Sequence, residues 1–280
     1  KADQFFYPQG IRQGGYLEIK DGKFGKLVKE VPADAEVIDY TGYSIAPGLV
    51  DTHIHGFGGV DVMDNNIEGT LHTMSDGLLT TGVTSFLPTT LTSSYELLLA
   101  VTENIGARYQ EATGAKIRGL YFEGPYFTEK YKGAQNPSYM KDPRMDEFRA
   151  WQKASNGLLN KIALAPERNG VEEFVRTITD EGVTVALGHS DATFDQAKAA
   201  VEAGASVWVH AYNGMRGLTH RELGMVGAMY ELPHTYAELI CDGHHVDPKA
   251  CDILIKQKGH ENIALITDCM TAGGLEDGDY

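Results

Sequence analysis

Basic charge is what this sequence most lacks: 24 lysines and arginines stand against 39 aspartates and glutamates, a formal net charge of −15 over 280 residues. Nucleic acid and anionic membranes both select basic surface, so neither is expected as a partner. Cysteine is also scarce. Cys241, Cys251 and Cys269 have neither zinc-knuckle spacing nor the numbers for a disulfide framework, which fits reduced thiols in a cytoplasm. No apolar run approaches the roughly 20 residues of a membrane-spanning helix, and the amino-terminal stretch has no signal-peptide h-region. Low-complexity tracts, charge blocks and linkers are missing too. What remains is an ordinary soluble composition, 42% hydrophobic and 22% charged, long enough for one large domain or a large one with a small companion.

Two textures divide the chain. Residues 1–45 read as short strand-like pieces, GGYLEIK, GKLVKEV and AEVIDYTG, separated by Gly, Asp and Pro turns. After Pro47-Gly48, apolar runs recur and each ends in polar residues or glycine. They are GLVDTHIH (48–55), TSFLPT (84–89), IRGLYFE (117–123), KIALAPE (161–167), VTVALGHS (183–190), SVWVHAYN (206–213), AELICDG (237–243) and NIALITD (262–268). Amphipathic segments such as SYELLLAVTENIGARYQ, VEEFVRTITDEG and FDQAKAAVEAG lie between them. Near-continuous apolar strands alternating with helices mark a parallel sheet covered on its faces. Eight such repeats within about 220 residues predict an α/β fold of the (β/α)8 TIM-like barrel type. A doubly wound open sheet is the alternative, but it rarely uses eight such strands.

Barrel enzymes carry their chemistry at the carboxyl ends of the strands. Those ends place His53 and His55 on the first strand, Glu123 on the third, Glu167 on the fourth and His189 on the fifth. His210 follows on the sixth, Asp242, His244 and His245 come after the seventh, and Asp268 ends the eighth. In an extended chain, side chains two residues apart share a face, so His53 and His55 point the same way. Imidazole and carboxylate are the ligands of zinc and other borderline divalent ions.

Each residue has a local explanation by itself: a chance H-x-H, a hydrogen-bonded core histidine at 189 or 210, a turn cap at Glu123, an N-cap at Asp268. Those explanations would have to coincide on one rim from unrelated strands. Glu167 has the weakest claim. The glycines after His55 let the chain turn sharply away from a crowded rim. His72, His220, His234 and His260 fall on helices or loops and read as solvent-facing or structural. A retaining glycosidase built on Glu123 and Glu167 would leave the histidines unexplained.

PGLVDTHIHG resembles the first-strand signature of the amidohydrolase superfamily. Within it, GVTSFLPTT, EGPYFTEKYKGAQNP, LGHSDA, HAYNGM, THRELGMVGA, DGHHVDP and ITDCMTAGG, in order over residues 47–274, resemble the N-acetylglucosamine-6-phosphate deacetylase family. The resemblance implies a cytoplasmic homodimer that hydrolyses the N-acetyl amide of N-acetylglucosamine 6-phosphate to glucosamine 6-phosphate and acetate, in amino-sugar catabolism and cell-wall sugar recycling. It also implies one or two divalent ions per subunit, zinc or iron. Glu123, His189 and His210 match the ligands of the principal ion, and His53 and His55 those of a second. Asp268 matches the catalytic aspartate, and His245 the histidine at the scissile carbonyl. Asn213, Gly214 and Arg221 match phosphate-binding positions, and Ala134 a backbone contact to the sugar. Asp242, Gly243, His244 and His245 match the lining of the same pocket. Gln135 stands where some members have histidine.

The fold implied is a barrel over residues 47–280, its last helix missing, and a small β-sandwich domain to which residues 1–46 contribute, the sandwich's C-terminal part being absent from this chain. Two rival functions remain to be weighed. A dihydroorotase-like amidohydrolase calls for a carboxylated lysine at the end of the fourth strand, where this sequence reads APE. A non-catalytic sugar-phosphate sensor would have no reason to keep both the ligand set and Asp268.

Overall fold

All eight apolar runs picked out after Pro47 form strands in the computed structural model, which describes residues 1–64 and 67–280. Contacts divide the chain into two units, Lys1–Leu49 and Val50–Tyr280.

The first unit holds β1 (Ala2–Tyr7), β2 (Gly10–Gln13), β3 (Tyr16–Lys20), β4 (Lys23–Val28) and β5 (Tyr40–Ile45). β1 pairs antiparallel with β2 and parallel with β5, and β3 and β4 form an antiparallel hairpin. The sequence pattern did not mark β1 or β2. β2 is exposed along its whole length, so it carries no apolar alternation to detect. The segment at 35–42 becomes strand only from Tyr40.

The second unit starts within β6 (Leu49–Ile54), followed by a short hairpin of β7 (Gly56–Phe57) and β8 (Val60–Asp61). Strands and helices then alternate: α1 (Ile67–Leu79), β9 (Val83–Thr90), α2 (Tyr95–Arg108), β10 (Lys116–Ile117), β11 (Leu120–Tyr126), α3 (Met145–Ala154) and β12 (Leu159–Leu164). They continue with α4 (Val171–Asp180), β13 (Thr184–Leu187), α5 (Phe194–Glu202), β14 (Val207–Trp208), α6 (Gly224–Glu231), β15 (Tyr236–Ile240), α7 (Pro248–Lys258) and β16 (Ile263–Ile266). The sheet runs β6-β9-β11-β12-β13-β14-β15-β16, with the short β10 pairing with β9 just ahead of β11. A parallel bridge from Ile54 to Cys269 brings the ends together. Two bonds reinforce it: His55 N–H donates to Cys269 O at 2.8 Å, and Asp268 N–H to His53 O at 2.9 Å. The result is a nearly closed parallel barrel, which excludes the open doubly wound sheet.

The period of two sorts the strand side chains. Leu120, Phe122, Ile162, Leu164, Val185 and Leu187 face outward into the main core, where they meet Phe174, Val175 and Ile178 of α4. Each such buried side chain contributes about 1.5–3 kcal/mol of transfer free energy. Their neighbours Tyr121, Ala163 and Ala186 face the barrel interior, in a separate small cluster with Leu87, Phe127 and Val209. The same parity that puts Tyr121 inside puts Glu123 inside, one layer nearer the carboxyl rim. Side-chain caps start several of the helices; at α5, Thr193 and Gln196 form a reciprocal capping box. Among the described residues no helix is long and apolar enough to cross a membrane.

Candidate metal centre

A repeated backbone device sets the rim. His189 lies two residues beyond the end of β13, His210 two beyond β14, and Asp268 two beyond β16. All three adopt left-handed backbone angles, with φ of 45°, 27° and 51°. This conformation strains a residue with a Cβ and concentrates where the surrounding structure holds it for function. Here it ends each strand and puts an imidazole or carboxylate over the barrel mouth. Gly56 has a different role from the one its flexibility suggested. A Cβ there would sit 2.4 Å from Val60 O and 2.9 Å from Thr271 N, so close approach rather than an unusual angle demands glycine.

Four imidazoles converge on Glu123. His189 Nε2 lies 3.0 Å and His210 Nε2 3.2 Å from Glu123 Oε1. His55 Nε2 is 3.3 Å from Oε2, and His53 Nε2 is 3.6 Å from Oε1. Asp268 Oδ1 completes the group, 3.1 Å from His55 Nε2 and 3.3 Å from His53 Nε2. The four histidines and Glu123 are all buried. Thus the structure brings together the sequence-derived residues His53, His55, Glu123, His189, His210 and Asp268.

The donor set fits a cation. Each Nδ1 already has a partner behind the ring: Glu238 Oε2 for His53 at 3.0 Å, Thr89 O for His55 at 3.0 Å, Tyr131 O for His189 at 2.8 Å and Asn213 O for His210 at 3.0 Å. Those acceptors fix the proton on Nδ1 in the neutral tautomer and turn every Nε2 lone pair inward. His189 Nε2 and His210 Nε2 then face each other at 3.0 Å, and His53 Nε2 and His55 Nε2 at 3.3 Å. Lone pairs at that distance repel unless a positive charge sits between them. The ligand atoms of His53, His55 and Glu123 form one group within 4.8 Å, and those of Glu123, His189 and His210 another, with Glu123 common to both.

Electrostatics points the same way. Burial opposes charge on His53, yet the carboxylates of Glu238, Glu123 and Asp268 outweigh it and raise its pKa to about 10. His55 rises to about 9, burial being overcome by bonds to Asp268 and Glu123. His189 is raised too, against burial, by its bond to Glu123. Burial would push Glu123 up, but charge on His53 and bonds from His189 and His210 hold it well below the usual carboxylate range. Asp268 is lowered against burial by charge on His53 and a bond from His55. Protons on the histidines thus supply the positive charge that the carboxylates demand.

Glu238, Lys161 and Asp51 support the cluster and escaped the sequence reading, which marked Gln135 only as a position where some members have histidine. Glu238 and Lys161 form a buried ion pair inside the barrel. Asp51 accepts from Thr267 Oγ1 at 2.5 Å and from His53 N–H at 3.2 Å, tying the first barrel strand to the last. Gln135 donates from Nε2 to Glu123 Oε2 at 2.5 Å and accepts from Thr92 N–H at 2.7 Å. Only strand parity could have marked Lys161 and Glu238, and parity does not say which partner stands across the barrel.

The remaining candidates fall around the cluster. Glu167, the weakest member by sequence, has its contacts elsewhere: it accepts from Thr128 Oγ1 at 2.5 Å, Ser190 Oγ at 2.7 Å and Asp191 N–H at 2.7 Å, clasping the loops on either side of His189. Gly214, with φ of 60°, lies so close that a Cβ would come within 3.0 Å of His189 Nδ1. Asn213 holds His210 through its carbonyl. Ala134 is exposed beside buried Gln135. Asp242, Gly243, His244 and His245 are exposed in the loop after β15, where Asp242 accepts from the His244 and His245 amides and pairs with His245 Nδ1 at 2.7 Å. Arg221 is exposed and makes no ion pair among the described residues; its neighbour Glu222 bonds instead to the Phe194 and Gly224 amides.

Barrel topology, rim histidines and a shared carboxylate define a class: the chain belongs to the amidohydrolase family, whose profile matches residues 44–275. It is 44% identical over 247 residues to the N-acetylglucosamine-6-phosphate deacetylase of Vibrio furnissii, covering 88% of this chain and 61% of that one. It is 39% identical over 281 residues to the N-acetylgalactosamine-6-phosphate deacetylase of Escherichia coli O157:H7, covering 100% of this chain and 73% of that one. A mutant of the N-acetyl-D-glucosamine-6-phosphate deacetylase of Mycobacterium smegmatis, solved with N-acetyl-D-glucosamine-6-phosphate, superposes with a TM-score of 0.89 at 30% identity, over 99% of this chain and 72% of that one. The chain therefore spans about three fifths of the Vibrio relative's length.

Proposed function

We propose that the protein hydrolyses the N-acetyl amide of N-acetylglucosamine 6-phosphate, releasing glucosamine 6-phosphate and acetate. One observation carries this reading: four histidine Nε2 atoms, Glu123 and Asp268 converge on one barrel rim with every Nδ1 already bonded. The names of the relatives support the substrate, and Glu123, His189, His210, His53 and His55 are suited to hold one or two divalent ions, zinc or iron. When bound, such an ion supplies Lewis acidity, polarising a carbonyl and making water a competent nucleophile near neutral pH.

The other roles belong to this chain's side chains. Asp268, held as a carboxylate by His53 and His55, takes the proton of the attacking water and returns it to the departing nitrogen. His245, its Nδ1 donating to Asp242, meets the scissile carbonyl in this reading, and as the doubly protonated imidazolium it donates from Nε2 to the oxygen as negative charge develops there. Arg221, free of any carboxylate partner among the described residues, offers its guanidinium fork to the 6-phosphate, beside Asn213 and Gly214. Ala134 offers a backbone contact to the sugar, and Asp242 to His245 line its pocket.

A dihydroorotase-like chemistry fits less well. The fourth barrel strand does carry an inward lysine, Lys161, but its ammonium pairs with Glu238 and donates to Thr52 O at 3.2 Å. We read residues 1–46 as part of a small β-sandwich and 47–280 as the barrel; the assembly expected is a cytoplasmic homodimer.

Acetate release from N-acetylglucosamine 6-phosphate, with N-acetylgalactosamine 6-phosphate and unphosphorylated N-acetylglucosamine alongside, tests the assignment. Metal-dependent release from the first, well above the other two, is expected. Preference for the galacto epimer would move the substrate to that sugar, and no release from any of the three would remove the reading.

A further inference from the structure

Three of the four rim histidines rest their Nδ1 on neutral main-chain carbonyls, those of Thr89, Tyr131 and Asn213. His53 alone is backed by a carboxylate, Glu238 Oε2 at 3.0 Å. Glu238 is fully buried, and its other oxygen bonds Lys161, which is 5% exposed. A buried ion pair seldom stabilises a fold more than apolar residues of the same volume would, so its place at the barrel centre asks for another reason.

The neighbours of the pair suggest that reason. Lys161 Nζ also donates to Thr52 O, the carbonyl just before His53 on β6. Its ammonium stands 3.9 Å above the Tyr121 ring, and that ring meets His53 edge-on at 4.9 Å. Glu238 Oε2 also lies 3.3 Å from the His210 amide nitrogen, a weaker contact. The pair therefore grips His53 from behind, from the side and through its own strand. A carboxylate behind an imidazole fixes the tautomer and raises the basicity of the nitrogen facing a metal, whereas a carbonyl does so less.

Resting on the reading of the rim as a two-position metal centre, we propose that Lys161 and Glu238 are a positioning pair that strengthens cation binding at the His53/His55 position relative to the His189/His210 position. Lys161 neutralises Glu238 and fixes where it stands, and Glu238 fixes His53. Neither residue touches substrate in this scheme.

Zinc titration of metal-free protein by equilibrium dialysis with elemental analysis tests this, with cobalt absorption as a second readout. His55→Ala and His189→Ala identify which ion is which. Wild type should bind two ions. Glu238→Gln should keep the His189/His210 ion and weaken the other about 10- to 100-fold, with loss of one of two cobalt components. The double variant Lys161→Met/Glu238→Gln removes both charges together, so it should fold even if Glu238→Gln alone does not, and should show the same selective loss. A single ion in wild type, equal weakening at both positions, unchanged affinity, or recovery of tight binding in the double variant would each overturn the proposal. The titration needs no sugar: selective loss of one ion in Glu238→Gln, with no acetate release by the wild type, would support the pair and remove the substrate assignment.

Discussion

His189 Nε2 and His210 Nε2 stand 3.0 Å apart while both Nδ1 atoms are committed to the main-chain carbonyls of Tyr131 and Asn213. Two neutral imidazoles so held cannot bond to each other, and a cation relieves them both. Adding zinc to metal-free protein should therefore raise the melting temperature. An excess of 100-fold over Kd corresponds to about 2.7 kcal/mol of added stability. His189→Gln should lose the share of that rise that belongs to the His189/His210 position, and the activity with it. A melting curve indifferent to zinc and chelator in wild type would contradict the metal centre.

The metal-free protein should also respond to pH in a defined direction. His53 and His55 titrate at about 10 and about 9 when folded, above the ordinary 6.5. A basic group raised by folding contributes stability that is full below pH 6.5 and is lost as pH climbs through the folded value. Metal-free protein should thus melt progressively lower from pH 7 to pH 10. Ion binding must displace those protons, so zinc addition at pH 7 in weak buffer should release acid, measurable by pH-stat or by calorimetry in two buffers. No proton release would mean that both histidines are already neutral.

Asp268→Asn should fold and bind metal, because Glu123 and the histidines remain. Its kcat should fall by about 10²- to 10⁴-fold, the usual worth of general acid–base help. If more than about a tenth of wild-type kcat survived, against that scale, another group would have to carry the proton.

Arg221→Ala should separate the phosphorylated substrate from the plain sugar. Loss of a charged contact to phosphate is worth on the order of 2–4 kcal/mol in kcat/KM, roughly 30- to 1000-fold, and the unphosphorylated sugar should barely notice. Equal losses on both substrates would make Arg221 a support for the fold, and no loss on either would leave the phosphate without its partner.

Much of this protein is written in local pattern. Apolar runs at strand spacing, separated by amphipathic helices, led to a barrel because burial on both faces leaves its mark on every residue of a strand. The rim residues were legible because ligand-type side chains at strand ends have no common local cause. Where local signal was absent, reading failed: β2 lies exposed throughout, and β5 begins only at Tyr40, late in the segment read as strand.

The sequence by itself determined the succession of strands, the shared face of His53 and His55, and a set of strand-end residues that contains the six meeting at the rim. Tertiary structure alone decided how they meet. Closure through Ile54 and Cys269 brings Asp268 from the last barrel strand to within 3.1 Å of His55 from the first. Partners that fix each histidine, Glu238 for His53 and Tyr131 O for His189, lie 185 and 58 residues away along the chain. Glu167 could be placed only by its three hydrogen bonds, which turned a candidate ligand into a clasp. Periodicity reports which way a side chain points, because that is fixed by its own backbone; what it meets there depends on how distant strands register across a closed sheet.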